Sequence, residues 1–294
     1  MNLLVLTHFL NGFLMVAIPI GLGIYLTRRF QLGWRIWLIG AATFTLSQVG
    51  HIPFNQGLTL LFHNGILPSP PPEWRLPFNA VVLGLSAGLW EEFARYSAYR
   101  WWAKDARTWR KGVLLGAGHG GVEAIFIGAL ALYTFSQMLA LRDQELTSLL
   151  GNQLTAAQLQ ALQTQLNAYW SAPWIATLLG AVERAFTILV QITLSVIVLQ
   201  VFIRGQIRWL WLAVGYHAFI DATSVYASNK IGIYWTEAVI GLIALLSHAI
   251  LFTLYRPEPE VDSDGETPVS DVKTVEDLQE IAWTKKDLEE SRYN

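Results

Sequence analysis

Residues 174–203, WIATLLGAVERAFTILVQITLSVIVLQVFI, carry a single adjacent pair of charges, Glu183-Arg184, and no others. A transmembrane helix needs roughly 20 mostly apolar residues, so this stretch reads as a membrane span. Pro173 stands just ahead of it, where a first helical turn tolerates proline. Six further stretches read the same way: about 3–26, 33–52, 78–98, 112–139, 208–227 and 232–255. The expectation is an all-α polytopic bundle of seven transmembrane helices over residues 1–255. Pro53 is taken to close the second span, the Pro68-Ser-Pro-Pro-Pro72 run breaks the loop after it, and Pro77 opens the third. The first span lacks a basic leader and a small-residue cleavage site, so it reads as retained.

Composition agrees. Of 294 residues, 53% are hydrophobic and only 14% charged, against about a quarter charged in soluble domains. There is no cysteine, which excludes disulfides, thiolate nucleophiles and Cys-based metal centres. The charge is uneven. From Arg256 onward there are twelve acidic and five basic residues, whereas residues 1–255 hold ten acidic and fifteen basic. Residues 256–294 read as an acidic cytoplasmic tail. Basic residues gather in alternate loops: Arg28, Arg29 and Arg35; then Arg100, Lys104, Arg107, Arg110 and Lys111; then Arg204 and Arg208. The positive-inside rule puts these loops in the cytoplasm and the N-terminus outside, in a cell membrane. Residues 140–172 read as an extracytoplasmic amphipathic segment, either a cap or interfacial helix or a solvated connector. No basic-aromatic patch suggests nucleic acid; the expected surroundings are membrane lipid.

Ionisable residues inside spans are costly, and they mark function by default. Glu91 and Arg95 stand at i,i+4, where a guanidinium can neutralise a carboxylate. His119 and Glu123 repeat that spacing, as do His217 and Asp221, so that each carboxylate could orient its imidazole. At 1.5 Å per residue from the cytoplasmic ends, Glu91, His119 and His217 lie about 10–13 Å deep, with Glu123, Gln191 and Asp221 in a second layer about 18 Å deep. A carboxylate and two imidazoles at one level suit hydrolysis: the carboxylate takes a proton from water while imidazoles, or a His-held metal, stabilise the oxyanion. No G-x-S-x-G elbow is present, and the glycines of Gly116-Ala-Gly-His-Gly-Gly121 read as sites of close helix approach. Glu183-Arg184 reads as a structural ion pair or interfacial anchor, and His8, His248 and Glu237 as packing or hydration sites.

These elements resemble the YhfC-type intramembrane metalloproteases, of the clan that holds the CAAX-processing (ABI) proteases, PrsW and the gamma-secretase scaffold subunit. The resemblance rests on Glu91-Glu92 with Arg95, on Gly118-His-Gly-Gly-x-Glu123, on Glu183-Arg184 followed by Leu194-Ser195, and on His217 with Asp221. It covers roughly residues 78–227. It implies a CAAX-protease-like helical core and an endopeptidase that cleaves a membrane-embedded or membrane-proximal peptide. Glu91 and Glu92 would be the acid/base pair and Arg95 their orienting group. His119 and His217 would be zinc ligands or oxyanion donors, backed by Glu123 and Asp221. Where the family pattern commonly has a His two turns after the Glu-Arg pair, this sequence has Gln191, a poor zinc ligand. A His119–His217–Glu set for Zn2+ and a metal-free site both stay open. Two alternatives stand beside the protease: a non-catalytic scaffold or sensor of the same clan, and an ion-coupled transporter. The latter usually shows repeat symmetry, which is not evident here.

Overall fold

The computed structural model describes residues 2–257. The acidic tail, past Pro257, lies outside the described residues. The long helices are α1 (Leu3–Arg29), α2 (Arg35–His63), α3 (Arg75–Ser97) and α4 (Trp109–Leu141). The chain continues through α5 (Leu146–Leu150), α6 (Ala156–Ser171), α7 (Leu179–Arg204), α8 (Arg208–Lys230) and α9 (Ile233–Thr253). No strand occurs among the described residues. The ends have local causes. Asn2 and Thr108 cap α1 and α4 by accepting from Leu4 N and Lys111 N. Thr155 and Gln158 form a capping box on α6, and Gly205, at φ 66°, stops α7.

Helix α7 is the centre. Its residues from Val190 to Val201 are all buried, and α4, α8, α9 and α1 surround it. Helix α3 packs chiefly on α8 and α2, and α4 on α1, α2 and α7. The outer faces are apolar: Leu242, Leu245 and Leu246 on α9, Leu130 and Tyr133 on α4, and Val49 on α2 are exposed. Contiguous apolar surface of this kind is what lipid covers.

Four helical stretches are long and apolar enough to cross a membrane: Leu3–Arg29, Trp109–Leu141, Ala176–Arg204 and Ile233–Thr253. Seven were expected. The three that fall short, α2, α3 and α8, have comparable lengths of 29, 23 and 23 residues. They fall short because they carry Gln48, His51 and Asn55, then Glu91, Glu92 and Arg95, then His217 and Asp221. One boundary also differs from expectation. Helix α2 continues through Pro53 to His63, eleven residues past the end of the expected span. Proline inside a membrane helix is tolerated when neighbours re-satisfy the freed backbone.

Glycine sets the helix separations around His119, as the sequence suggested. A Cβ at Gly118 would lie 1.9 Å from Trp37 O, and one at Gly40 would lie 2.0 Å from Leu115 O. On the opposite side of α4, Gly116 and Gly120 admit α7: their Cβ atoms would meet Ile192 Cα at 2.5 Å and Gln191 Cβ at 2.8 Å. Small residues thus bring three backbones together where lipid provides no hydrophobic drive.

The C-terminal end of α3 is tightly locked. After Ser97 the chain makes one wide π turn over Ala98–Trp102. Tyr99 is fully buried there, its hydroxyl 2.7 Å from Ser195 Oγ, which in turn donates to Gly112 O at 3.0 Å. In the loop beyond, Asp105 pairs with Arg35 at 2.9 Å and Lys111 at 3.3 Å. The Arg35 hydrogen bond, chiefly, holds its carboxyl below the ordinary value of 3.8.

Segment 140–172 is anchored through the C-terminal half of its second helix. Leu166 is buried, the His8 ring stacks on Tyr169 at 3.9 Å, and Trp170 Nε1 donates to Met138 O at 3.2 Å. His8 is therefore a packing residue for α6, which otherwise stays largely exposed.

Candidate active site

Helix α3 delivers Glu91, Glu92 and Arg95 to the meeting point of α2, α4, α7 and α8. Glu91 and Glu92 point into different surroundings. Glu91 Oε2 stands 3.1 Å from His119 Nε2 on α4 and 3.8 Å from His217 Nε2 on α8, and it accepts from Gln191 Nε2 on α7 at 3.3 Å. Its other oxygen accepts from Gln48 Nε2 on α2 at 3.1 Å. Glu92 is fully enclosed, paired with the equally enclosed Arg95, and accepts from His217 Nδ1 at 2.7 Å.

The Arg95 partner differs from expectation. The i,i+4 spacing suggested Glu91, but the guanidinium pairs with Glu92 at i,i+3 and donates its second nitrogen to Gln191 Oε1 at 2.5 Å. Both spacings are neighbours on a helix, and the amide on α7 draws the fork toward the Glu92 side. That contact also fixes Gln191: its oxygen faces Arg95, so its amino group faces Glu91 and Glu123, the latter at 3.0 Å.

The i,i+4 His-carboxylate pairs fare unequally. Asp221 Oδ2 lies 3.6 Å from His217 Nε2. Glu123 does not hold His119; it takes Arg184 at 2.7 Å, and Arg184 also pairs with Glu183. Glu183-Arg184 is therefore tied into this cluster rather than standing apart as an anchor. A cavity of about 110 Å³ is bounded by Glu91, Glu123, Arg184, Gln191, His217 and Asp221. That is room for several waters among convergent polar groups.

Helix α2 supplies what the sequence reading missed. Asn55 Nδ2 donates to His51 Nε2 at 2.9 Å, His51 Nδ1 faces Gln48 Oε1 at 3.3 Å, and Gln48 reaches Glu91. The signal was present. Residues 48, 51, 55 and 59 are polar at helical spacing, but a span closed at Pro53 splits that face in two.

The donor set is poorly suited to zinc. Among the described residues, no group of three His, Asp or Glu is gathered to hold a metal ion. His119 Nδ1 is buried with no partner, so a His119 that ligated through Nε2 would leave a buried N–H unpaired. Metal-ligating histidines nearly always give that hydrogen to an acceptor. Gln191 presents an amino group to the site where a third ligand would need a lone pair. The expected zinc site on His119 and His217 therefore does not fit these residues. The same orphan Nδ1 puts the hydrogen on Nε2, which donates to Glu91.

Residues 14–244 match the model of a family described as YhfC intramembrane metalloprotease. An uncharacterized membrane protein YhfC from Bacillus subtilis (strain 168) is 31% identical over 249 residues, covering 81% of this chain and 91% of that one. No solved structure matches.

Proposed function

Since the chain belongs to the YhfC intramembrane metalloprotease family, we propose that it is a multi-pass membrane endopeptidase in which Glu91 activates the attacking water. The observation that carries this is the asymmetry of the two carboxylates. Glu91 lines the cavity, whereas Glu92 is enclosed between Arg95 and His217. A general base must reach its water, and only Glu91 does.

In this reading, water held in the cavity gives a proton to Glu91 Oε2 as its oxygen adds to the scissile carbonyl. The Gln191 amino group and His217 Nε2, both facing Glu91 Oε2, donate to the developing oxyanion, His217 acting as the imidazolium with its Nδ1 hydrogen on Glu92. Collapse expels the amine, which takes the proton from Glu91. Arg95 positions rather than reacts: it neutralises Glu92 and holds Gln191 by its oxygen. Glu92 in turn orients His217, and His119 fixes the Glu91 carboxylate from α4. Glu123 and Asp221 close the cavity wall. The bundle is read as seven spans with the N-terminus outside, and Glu91, six residues before the end of α3, in the cytoplasmic half. Gln191 also supports a second reading, a non-catalytic scaffold of the same clan, because Glu91 already has four polar neighbours without any substrate.

The test is cleavage of a library of transmembrane and membrane-proximal peptides by the purified protein in liposomes, read by mass spectrometry. Wild type should cleave, and Glu91→Gln should lose about 10²–10⁴-fold, the usual worth of a positioned base. Full activity in Glu91→Gln removes Glu91 as base, and an inert wild type favours the scaffold. Elemental analysis on the same sample, with His119→Ala as control, tests the metal. Stoichiometric zinc that vanishes in His119→Ala would replace the metal-free version with a zinc one.

A further inference from the structure

The site lies near one end of the bundle, but its openings lie toward the other. On α4, α7 and α8, and in the π turn that follows α3, the residues one or two turns toward the basic loops are sealed. Tyr99 follows Arg95 in the π turn after α3, Leu115 precedes His119 on α4, Leu199 follows Gln191 on α7, and Ala213 precedes His217 on α8; none of them has any exposure. Ala103 and Ala106, in the loop below, are equally enclosed. Glu92 and Arg95 rest on this floor, with no exposure themselves.

Toward the Pro68–Trp74 loop the packing opens. The 110 Å³ cavity at Glu91 shares Asp221 and Ser224 with a second, of about 250 Å³, which His51, Leu83 and Ala87 also line. That one shares Asn55 and Leu83 with a third, of about 440 Å³, bounded by Thr59, Phe62, Phe78 and Arg75 beside the loop. Exposure follows the same gradient: the Glu91 side chain is 7% exposed and that of Asp221 37%. The polar face of α2, with Gln48, His51, Asn55 and Thr59, runs along this series. Polar side chains at membrane depth are tolerated where they line water or bury in protein.

We infer that water, and the peptide segment to be cleaved, reach Glu91 along the α2–α3–α8 path from the end of the bundle that bears the Pro68–Trp74 loop, and not from the nearer end that bears the basic loops. Delivery of a peptide along this path rests on the endopeptidase reading above; admission of water does not. The mixed lining, Phe62 and Phe78 with Asn55 and Thr59, suits an extended segment with alternating apolar and polar contacts.

The chain has no cysteine, so single thiols can be placed in the full-length protein without background. Thr59→Cys marks the wide end, Lys104→Cys the opposite end, and Ser224→Cys and Thr187→Cys the innermost cavity. A membrane-impermeant charged maleimide, applied to intact cells and to inverted vesicles, reads which side each thiol sees, since maleimides react with thiolate in water. Ser224→Cys and Thr187→Cys should label whenever Thr59→Cys does, and their labelling should be lost when reagent is confined to the Lys104 side. Comparing with the two markers makes the result independent of which face is outside, and labelling requires no cleavage. Labelling after denaturation, with monodisperse elution beforehand, confirms that each thiol is present in folded protein. Inner thiols that label only with Lys104→Cys, or from neither side, would overturn the path while leaving the chemistry at Glu91 untouched.

Discussion

Replacing Gly40 by alanine adds one methyl group at the tightest crossing next to the site. That carbon would sit 2.0 Å from Leu115 O and 2.9 Å from His119 N, whereas ordinary contact begins near 3.4 Å. The obstacle is backbone on α4, so no side chain can turn away; α2 must retreat by about 1.4 Å. A shift of that size lengthens the 3.1 Å bond from Gln48 to Glu91 beyond hydrogen-bonding range and loosens the contact at Gly118. Overpacking of this kind costs about 1–3 kcal/mol. Gly57→Ala is the control: same helix, same chemical change, but nothing within 4 Å of the new carbon. There the loss of backbone freedom in the unfolded chain should stabilise by about 0.5–1 kcal/mol. In a chain this long each kcal/mol moves Tm by roughly 2–4 °C, so Gly40→Ala should melt several degrees below wild type and Gly57→Ala slightly above it. Thermal unfolding in one detergent, followed by intrinsic tryptophan fluorescence, resolves such differences. Equal melting of the two variants would refute glycine-set spacing between α2 and α4.

Arg95→Met leaves Glu92 buried without its counter-charge, and breaking one partner of a buried pair costs about 3–5 kcal/mol; the double variant Glu92→Gln/Arg95→Met should recover much of that stability, while a double variant no better than the single one would show that the charges are not coupled. Reporter fusions at Arg107 and Gln158 should report opposite sides of the membrane, and finding both on one side would end the seven-span topology. At Asp105 the folded carboxyl is depressed, so its tie to Arg35 and Lys111 contributes above the ordinary carboxylate range and is lost as pH falls through it. The Tm gap between wild type and Asp105→Asn should therefore be present at neutral pH and close on acidification; a gap that widened in acid would contradict that sign.

Much of this arrangement can be read in the sequence because membrane helices announce themselves by apolar length and because charges at that depth need a reason. The all-helical fold, the glycine block around His119, and the gathering of Glu91, Glu92, His119 and His217 follow from those two facts. What could not be read depends on rotation between helices. Arg95 has carboxylates at both i−4 and i−3, and only the amide of Gln191, 96 residues away, decides between them. Glu123 left His119 for Arg184 for the same reason. His51 escaped because its partner Asn55 lies past Pro53, so that a helix ended there shows only part of the polar face.

The bond between Glu92 and Arg95 has a consequence for how the chain is made. Its other partner, His217, lies 125 residues further along. At synthesis rates of about 5–20 residues per second, α3 waits roughly 6–25 s before α8 exists. On the seven-span reading proposed above, α3 would during that interval carry two carboxylates and a guanidinium at a depth that penalises each by about 2.5–3.5 kcal/mol. A guanidinium one turn from Glu92 on the same helix gives α3 an internal counter-ion from the moment it forms. On that reading the pair serves the nascent chain first, as ballast for a helix too polar to enter lipid alone, and the finished site inherits it.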